Sequence, residues 1–565
     1  MDERKTEQSC LNRNTVDCIA GLCRRSIKKL DIFVFSSTFV LTFMVHMYMF
    51  TNKFINHDDI AYLYHGTNLL SSGRWLLYFT QGISGFTNSP WLNAVLGALY
   101  FAAAAVLIMR ILRVSRFLPA LLISACIVSF PTVTSTYAYM FCSGSYLLAL
   151  LLSVVSAHLI QRKKWPAIAL GGVAVALSMG IYQSYFPLTA ALLVFSMLVD
   201  VIDSRFSSFK EFITVGLKYA AGLAFGMILY FVILRICLKV NNVELIDYQG
   251  ISSMGIVTFS QLIDRISAAY KNFFYFYRSA VFHSFFKYIA AAAFLFSAVA
   301  ALAIIFQRRL YKSFSAIIEI IILVALIPLA CDLVYVMAGE FTVHLVMVYP
   351  MLLPLIFPAV ISERICFSGI LKSRSGFVSL ALTLALLLTQ LACAYEFVLI
   401  DNRAYFYMDM TYKNVYAFMT KLTAKIELQD DFSSSTPVAL IGKINMDSNV
   451  PATPGMTGVF TGNSVANIYT RKHLLYNVLA SRYDYVDADT EEQIKQTDEF
   501  EEMPCYPNAG SIKTINGVIV VKFSDGYRTE VKYAVNYCSG IQRRANGPIS
   551  RTGDLSAYAA GEHPV

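Results

Sequence analysis

Residues 32–50 read IFVFSSTFVLTFMVHMYMF, an apolar run without Asp, Glu, Lys or Arg. At ~1.5 Å per helical residue, this length crosses a hydrocarbon core of ~30 Å. Arg24, Arg25, Lys28 and Lys29 precede it, as they would in a secretory signal, but no small-residue cleavage site follows. The run is therefore read as a retained anchor rather than a removed leader. Similar runs recur along the chain, which has 565 residues, 56% of them hydrophobic, 14% aromatic and only 15% charged. This composition excludes an ordinary soluble domain and predicts a polytopic all-α membrane protein.

About 20 apolar residues per span gives eleven candidate helices, centred near residues 41, 100, 124, 151, 175, 194, 224, 296, 326, 352 and 388. Basic clusters recur at every second connection: Arg110, Arg113 and Arg116; Arg162, Lys163 and Lys164; Arg205 and Lys210; Arg308, Arg309 and Lys312; Arg364, Lys372 and Arg374. Together with the basic N-terminus they mark the cytoplasmic face, and the net charge of +9 is spent there. No nucleic-acid partner is implied. The alternate connections are then external, among them 51–90, 135–143, the turn after Tyr182, 239–285 and 338–341. Within 239–285, Ile263, Ile266 and Tyr270 have helical spacing with aromatic residues following, which suits either a helix in the membrane interface or one packed on the bundle.

The predicted domains are a cytoplasmic tail (1–30), a transmembrane domain (31–400), an external α+β domain (401–541) and a polar, disordered tail (542–565). In the external domain, 408–428 reads as a helix, and 437–444, 517–523 and 529–537 alternate as strands do. The eleven cysteines lack metal-ligand spacing, so no metal site is expected. Cys505 and Cys538 share the tail region, and in an oxidising compartment a bridge between them would tie its late segments together. There is no Walker A loop, dinucleotide fingerprint, His-Glu-x-x-His or Gly-x-Ser-x-Gly, which removes nucleotide-driven and common hydrolytic chemistry.

The most chemically loaded segment is Asn56-His57-Asp58-Asp59, just beyond the first span. If Asp58 or Asp59 is desolvated, its neighbour raises the pKa of one of them, giving a base for a weakly acidic hydroxyl. The same residues also suit the cap of a helix over 60–70. Gly73-Arg74-Trp75 lies on the same loop, where Arg74 can grip a phosphate and Trp75 can stack on a sugar or anchor at the interface. Tyr182 and Gln183 close the fifth span, either lining a cavity for a hydroxyl-rich ligand or satisfying helix-end carbonyls. Arg235, inside an apolar stretch, is expensive unless paired or snorkelling; Asp332 is its candidate partner, or a second carboxylate in the cavity.

These motifs in this order, with Asn402-Arg403-Ala404-Tyr405 and Met503-Pro504-Cys505-Tyr506-Pro507 in the tail, resemble the serotype-converting "type II" O-antigen glucosyltransferases of the GT-C superfamily. The resemblance spans nearly the whole length. It implies a GT-C-like bundle in the bacterial inner membrane, with the N-terminus cytoplasmic and the C-terminal domain periplasmic. The implied donor is undecaprenyl-phosphate-glucose, the acceptor a lipid-linked O-antigen or other surface glycan, and a small donor flippase is a further partner; no cofactor is required. The base it implies is Asp58 or Asp59, with His57 beside them at the substrate. Where the family pattern has an arginine near the start of the tenth span, this chain has Phe341-Thr342-Val343-His344, so Arg74, Arg235 and His344 compete for the donor phosphate. A lipid-linked-glycan flippase and an O-antigen polymerase are the rival readings.

Overall fold

The computed structural model describes residues 27–52, 55–246, 258–338, 342–365, 374–444, 455–459 and 468–524. Among the described residues, nine helices are long and apolar enough to cross a membrane, and two shorter apolar helices, Trp165–Ile181 and Tyr349–Ser362, accompany them. Each of the eleven expected centres falls within one of these helices. The bundle helices are α1 (Lys29–Thr51), α2 (Pro90–Ile111), α3 (Phe117–Ser129), α4 (Pro131–Ala138), α5 (Met140–Ile160), α6 (Trp165–Ile181), α7 (Phe186–Ile202), α8 (Phe209–Asn241), α9 (Phe259–Phe276), α10 (Phe286–Gln307), α11 (Phe314–Cys331), α12 (Leu352–Ser362) and α13 (Arg374–Glu427).

Proline in the first turn starts α2, α4, α6 and α7, where its missing N–H has no intrahelical partner to lose. Ser208, Thr258 and Ser313 cap α8, α9 and α11 through their side-chain oxygens. Where α6 crosses α8, Gly172 and Gly226 let the backbones meet: a Cβ on Gly226 would come within 2.7 Å of the Gly172 carbonyl oxygen.

The basic clusters converge at one end of the bundle. Arg110 Nη2 lies 2.8 Å from Asp31, Arg113 2.6 Å and Lys163 3.5 Å from Asp200, and Arg308 3.0 Å and Arg364 3.3 Å from Asp203. Glu363 accepts from the backbone N–H groups of Ser115 and Arg116 at the same end. Asp200 is fully buried, so its three cations, Arg113, Lys163 and Arg205 (3.9 Å), compensate a carboxylate that would otherwise be costly to desolvate. By connectivity, the loop with the acidic pair, Tyr182-Gln183, α9 and residues 342–348 all lie at the opposite end.

Helix α9 packs on α11 and on the short helix Leu333–Ala338. It buries Ala269 and Phe273 and leaves Phe259, Ile263, Phe274 and Tyr275 exposed. The expected domain boundary at residue 401 falls inside α13, a single helix from Arg374 to Glu427. No Gly or Pro occurs between Gly376 and Pro437, so nothing in the sequence stops the helix where its composition turns polar. At 54 residues it is about 80 Å long, more than twice the ~30 Å of a hydrocarbon core.

The chain divides into two compact units, Met1–Ala424 with Met446–Arg482, and Lys425–Asn445 with Tyr483–Val565. The second holds a three-stranded sheet of order β1-β3-β2: β1 (Val438–Ile441) pairs parallel with β3 (Val518–Lys522), and β2 (Ile512–Ile515) pairs antiparallel with it. The β2–β3 hairpin turns at Asn516-Gly517, both at positive φ, the sequence that a two-residue hairpin loop favours. Strand β2 escaped the sequence reading because Lys513 and Thr514 face solvent and blur its alternation. Ala439, Ile441, Val518 and Val520 from the sheet meet Ile494, Phe500 and Met503 in one core. The expected strand at 529–537, Cys538 and the tail 542–565 lie outside the described residues, and with Cys538 the bridge expected to Cys505.

Candidate active site

Asn56 builds the acidic turn. Its Oδ1 accepts from the backbone N–H groups of Asp58 (2.6 Å) and Asp59 (3.1 Å), and its Nδ2 donates to the Gly458 carbonyl (3.0 Å). This is an Asx turn, in which a short amide side chain does the work of a backbone turn. The helix expected over 60–70 does not form. Residues 57–65 run as turns and bends, with the first helical turn, a 3-10 turn, at Leu70–Ser72. The carbonyls that a helix would use internally are taken elsewhere, Ile60 by Asn477 Nδ2 (2.8 Å) and Leu63 by Asn88 N–H (3.0 Å). The cap reading is thereby replaced: Asn56 and Asp59 shape a turn, not a helix start.

The two carboxylates have different surroundings. Asp59 is fully buried; Oδ1 accepts from Phe141 N–H (3.0 Å) and Oδ2 from Asn56 N–H (3.3 Å). Burial pushes its carboxyl up to about 7, the nearby Asp58 adding to the rise and the backbone N–H groups opposing it. Asp58 keeps 43% of its side chain exposed, with His57 Nε2 at 3.7 Å. One acid thus holds the turn and the other faces outward.

Asp59 carries a pH signature. Its folded pKa of about 7 lies above the unfolded value of 3.8, so between those pH values the native chain keeps a proton that the unfolded chain has released. Stability therefore falls as pH rises through this window, by at most about 1.4 kcal/mol per pH unit, and levels off above pH 7. Thermal unfolding of the purified protein in detergent should show a falling Tm from pH 5 to pH 7, with a flatter profile in Asp59→Asn. Parallel profiles for the two proteins would contradict this assignment.

Arg74 stands on the same loop, set by Gly73 at φ 78°. The Ser72 carbonyl accepts from Gln183 Nε2 (3.1 Å), and the Gly73 carbonyl accepts from the Tyr230 hydroxyl (3.0 Å). Arg74 Nη1 donates to the Tyr146 hydroxyl at 2.9 Å, and the guanidinium lies 5.2 Å from the Tyr182 ring centroid. Tyr146 and Tyr182 stack with centroids 4.2 Å apart. Tyr182 and Gln183, read from sequence as lining a cavity or satisfying helix-end carbonyls, are both buried; Tyr182 lies under the arginine, and Gln183 holds the loop carbonyl of Ser72. Trp75 packs on the end of α6, where a Cβ on Gly180 would come within 2.5 Å of the indole. It packs against the cluster of Val175, Met179 and Tyr230. Asp59 and Arg74 both reach the first turns of α5, Asp59 accepting from Phe141 N–H and Arg74 donating to the Tyr146 hydroxyl.

His344 precedes the turn Leu345–Met347 and is half-buried, which lowers its pKa. Residues 455–459 connect it to the acidic turn: Thr457 Oγ1 accepts from Leu345 N–H (2.9 Å), and Gly458 accepts from Asn56. Arg235, the other candidate for the phosphate, lies near the C-terminal end of α8. It is exposed on α8 beside Val232 and Ile236, whereas its proposed partner Asp332 is only 2% exposed. The long apolar run around Arg235 hides which face it occupies.

Residues that the sequence reading missed complete the surroundings. Phe141 supplies the N–H for Asp59, Tyr146 the hydroxyl for Arg74, and α14 (Ile468–Asn477) the amide for Ile60. Elsewhere at this end, Glu396, fully buried, accepts from both the backbone N–H and the Nδ1 of His283 (2.8 and 2.9 Å); a lone acid in the apolar run of α13 was its signal. Among the described residues no three His, Cys, Asp or Glu side chains converge as a metal site.

Comparison with known proteins gives one result. No curated protein and no solved structure matches the chain. The family profile described as "Glucosyl transferase GtrII" matches residues 47–355, a stretch that contains the acidic turn, Arg74, Tyr182, Gln183 and His344. On this match, which covers more than half its length, the chain belongs to the GtrII glucosyl transferase family.

Proposed function

We propose that this glycosyltransferase moves a glucosyl unit from a polyprenyl-phosphate donor, undecaprenyl-phosphate-glucose, to O-antigen or another surface glycan at the periplasmic face of the inner membrane. The observation that carries the reading is the acidic turn: one buried and one exposed carboxyl, beside an arginine braced by phenols, at the end of the bundle opposite the basic clusters. Asp58 takes the proton from the acceptor hydroxyl as its oxygen attacks the anomeric carbon. The bond from that carbon to the phosphate oxygen breaks, and the phosphate leaves with the bonding pair. Arg74 supplies the guanidinium that stabilises that developing charge. Asp59 fixes the turn from below through the N–H groups of Phe141 and Asn56. The basic end then faces the cytoplasm.

Membranes containing the protein, supplied with labelled polyprenyl-phosphate-glucose and isolated O-antigen glycan, should transfer label to the glycan. Movement of the labelled lipid between leaflets without transfer would identify a flippase instead.

A further inference from the structure

Helix α14 lies outside the stretch 47–355 matched by the family profile, yet it is fastened to the acidic turn. Asn477 Nδ2 donates to the Ile60 carbonyl, and Tyr469 lies beside the Tyr62 side chain and near Asp58. Tyr62 in turn stacks on Phe141, centroids 5.0 Å apart, whose N–H holds Asp59. The helix docks through Thr470, Arg471, Leu474 and Leu475, all buried.

Its other face carries Tyr469, His473 and Tyr476, spaced to lie along one side of a helix. Tyr469 is 42% and Tyr476 53% exposed, and His473 packs edge-on to Tyr469 at 4.3 Å. Tyr64, 60% exposed, follows on the turn itself. The Arg482 guanidinium lies 5.2 Å from the Tyr476 ring centroid, which leaves Tyr469 as the exposed ring nearest the turn; an aromatic ring exposed beside a carboxylate fits a ligand with an apolar face and a rim of hydroxyls, as a pyranose ring has. Arg74 marks the phosphate side of the site, and Asp58 marks the side where a hydroxyl must give up its proton.

We infer that Tyr469, with His473 and Tyr62 beside it, forms a carbohydrate-stacking subsite that seats a pyranose ring of the acceptor glycan next to Asp58. This rests on the transferase reading for its choice of acceptor over donor. A tyrosine belt in the lipid headgroup region is the competing use of such a stripe. The helix that carries Tyr469, however, is tied through Asn477 to the loop that bears the acids.

The test compares Tyr469→Phe, which keeps the ring, with Tyr469→Leu, which keeps only apolar bulk, in the full-length protein. Two readouts are taken: transfer kinetics with donor and acceptor varied separately, and direct binding of lipid-free O-antigen polysaccharide to purified protein. Tyr469→Leu should weaken polysaccharide binding and raise acceptor KM about tenfold, while Tyr469→Phe stays within about twofold and donor KM is unchanged in both. Equal behaviour of Leu and Phe, parallel losses for donor and acceptor, or no polysaccharide binding by the wild type would each overturn the subsite. Absent transfer by the wild type with polysaccharide binding that still depends on the Tyr469 ring would instead count against the transferase reading and leave the subsite standing.

Discussion

Asp58→Asn is expected to lower glucosyl transfer by about 10²–10⁴-fold, the range that a positioned general base contributes, with protein level and donor KM near wild type. The asparagine keeps the shape of the side chain and loses only the ability to take a proton. Because Asp58 is 43% exposed and its carboxylate holds no backbone N–H, the substitution leaves the turn intact: Asn56 supplies the bonds to residues 58 and 59. Asp59→Asn tests the other role. An amide there cannot accept from both Phe141 and Asn56 without turning its NH₂ toward one of their N–H groups, so its loss should appear in Tm and protein level as well as in rate. The comparison is made in membranes at matched protein level. Transfer by Asp58→Asn within tenfold of wild type would remove Asp58 from the proton-transfer role, and a rate loss confined to Asp59→Asn would reverse the assignment.

Much of the membrane architecture was legible because its signals are local. An apolar run of span length and a basic cluster each announce themselves in a short window, and Arg110, Arg113, Lys163, Arg308 and Arg364 do meet at one end of the bundle. The acids that receive them, Asp31, Asp200 and Asp203, sit at helix ends where sequence alone makes them look like solvated charges. The site was half legible for the same reason. Asn56-His57-Asp58-Asp59 stands out by its chemistry, but which carboxyl is buried depends on the Phe141 N–H, more than eighty residues away. A segment starting with Asn and Asp and followed by Ile, Leu and Tyr reads as a capped helix, and only the long-range partners Asn477 and Asn88 show why it is not one. Asp401, taken as the start of a separate domain, is a buried side chain in mid-helix that accepts from Thr134. In each case the missing information was a contact between distant segments, to which period and composition are blind.

Arg74→Ala is expected to lower transfer by about 10²–10³-fold, the scale on which a preorganised charge partner for a developing anion acts. The larger lesson is in Arg74→Lys. If any positive charge sufficed, lysine would restore most of the rate. In this site the guanidinium plane rests over the Tyr182 ring and one of its N–H groups is committed to the Tyr146 hydroxyl, which fixes how the remaining donors are presented. An ammonium has neither the plane nor the fork, so Lys should recover little more than Ala. Tyr146→Phe separates orientation from charge: it removes one hydrogen bond to a charged group, worth about 1.5–3 kcal/mol at most, and should raise donor KM while leaving the cation in place. Arg235→Ala provides the contrast, since Arg235 is exposed on α8 and should behave as wild type. Donor KM and kcat measured with polyprenyl-phosphate-glucose at saturating acceptor decide the matter. Near-normal rates for both Arg74 variants, or a donor defect that appears in Arg235→Ala instead, would move the phosphate site away from the Tyr146–Tyr182 brace and leave His344, tied to the acidic turn through residues 455–459, as the next residue to examine.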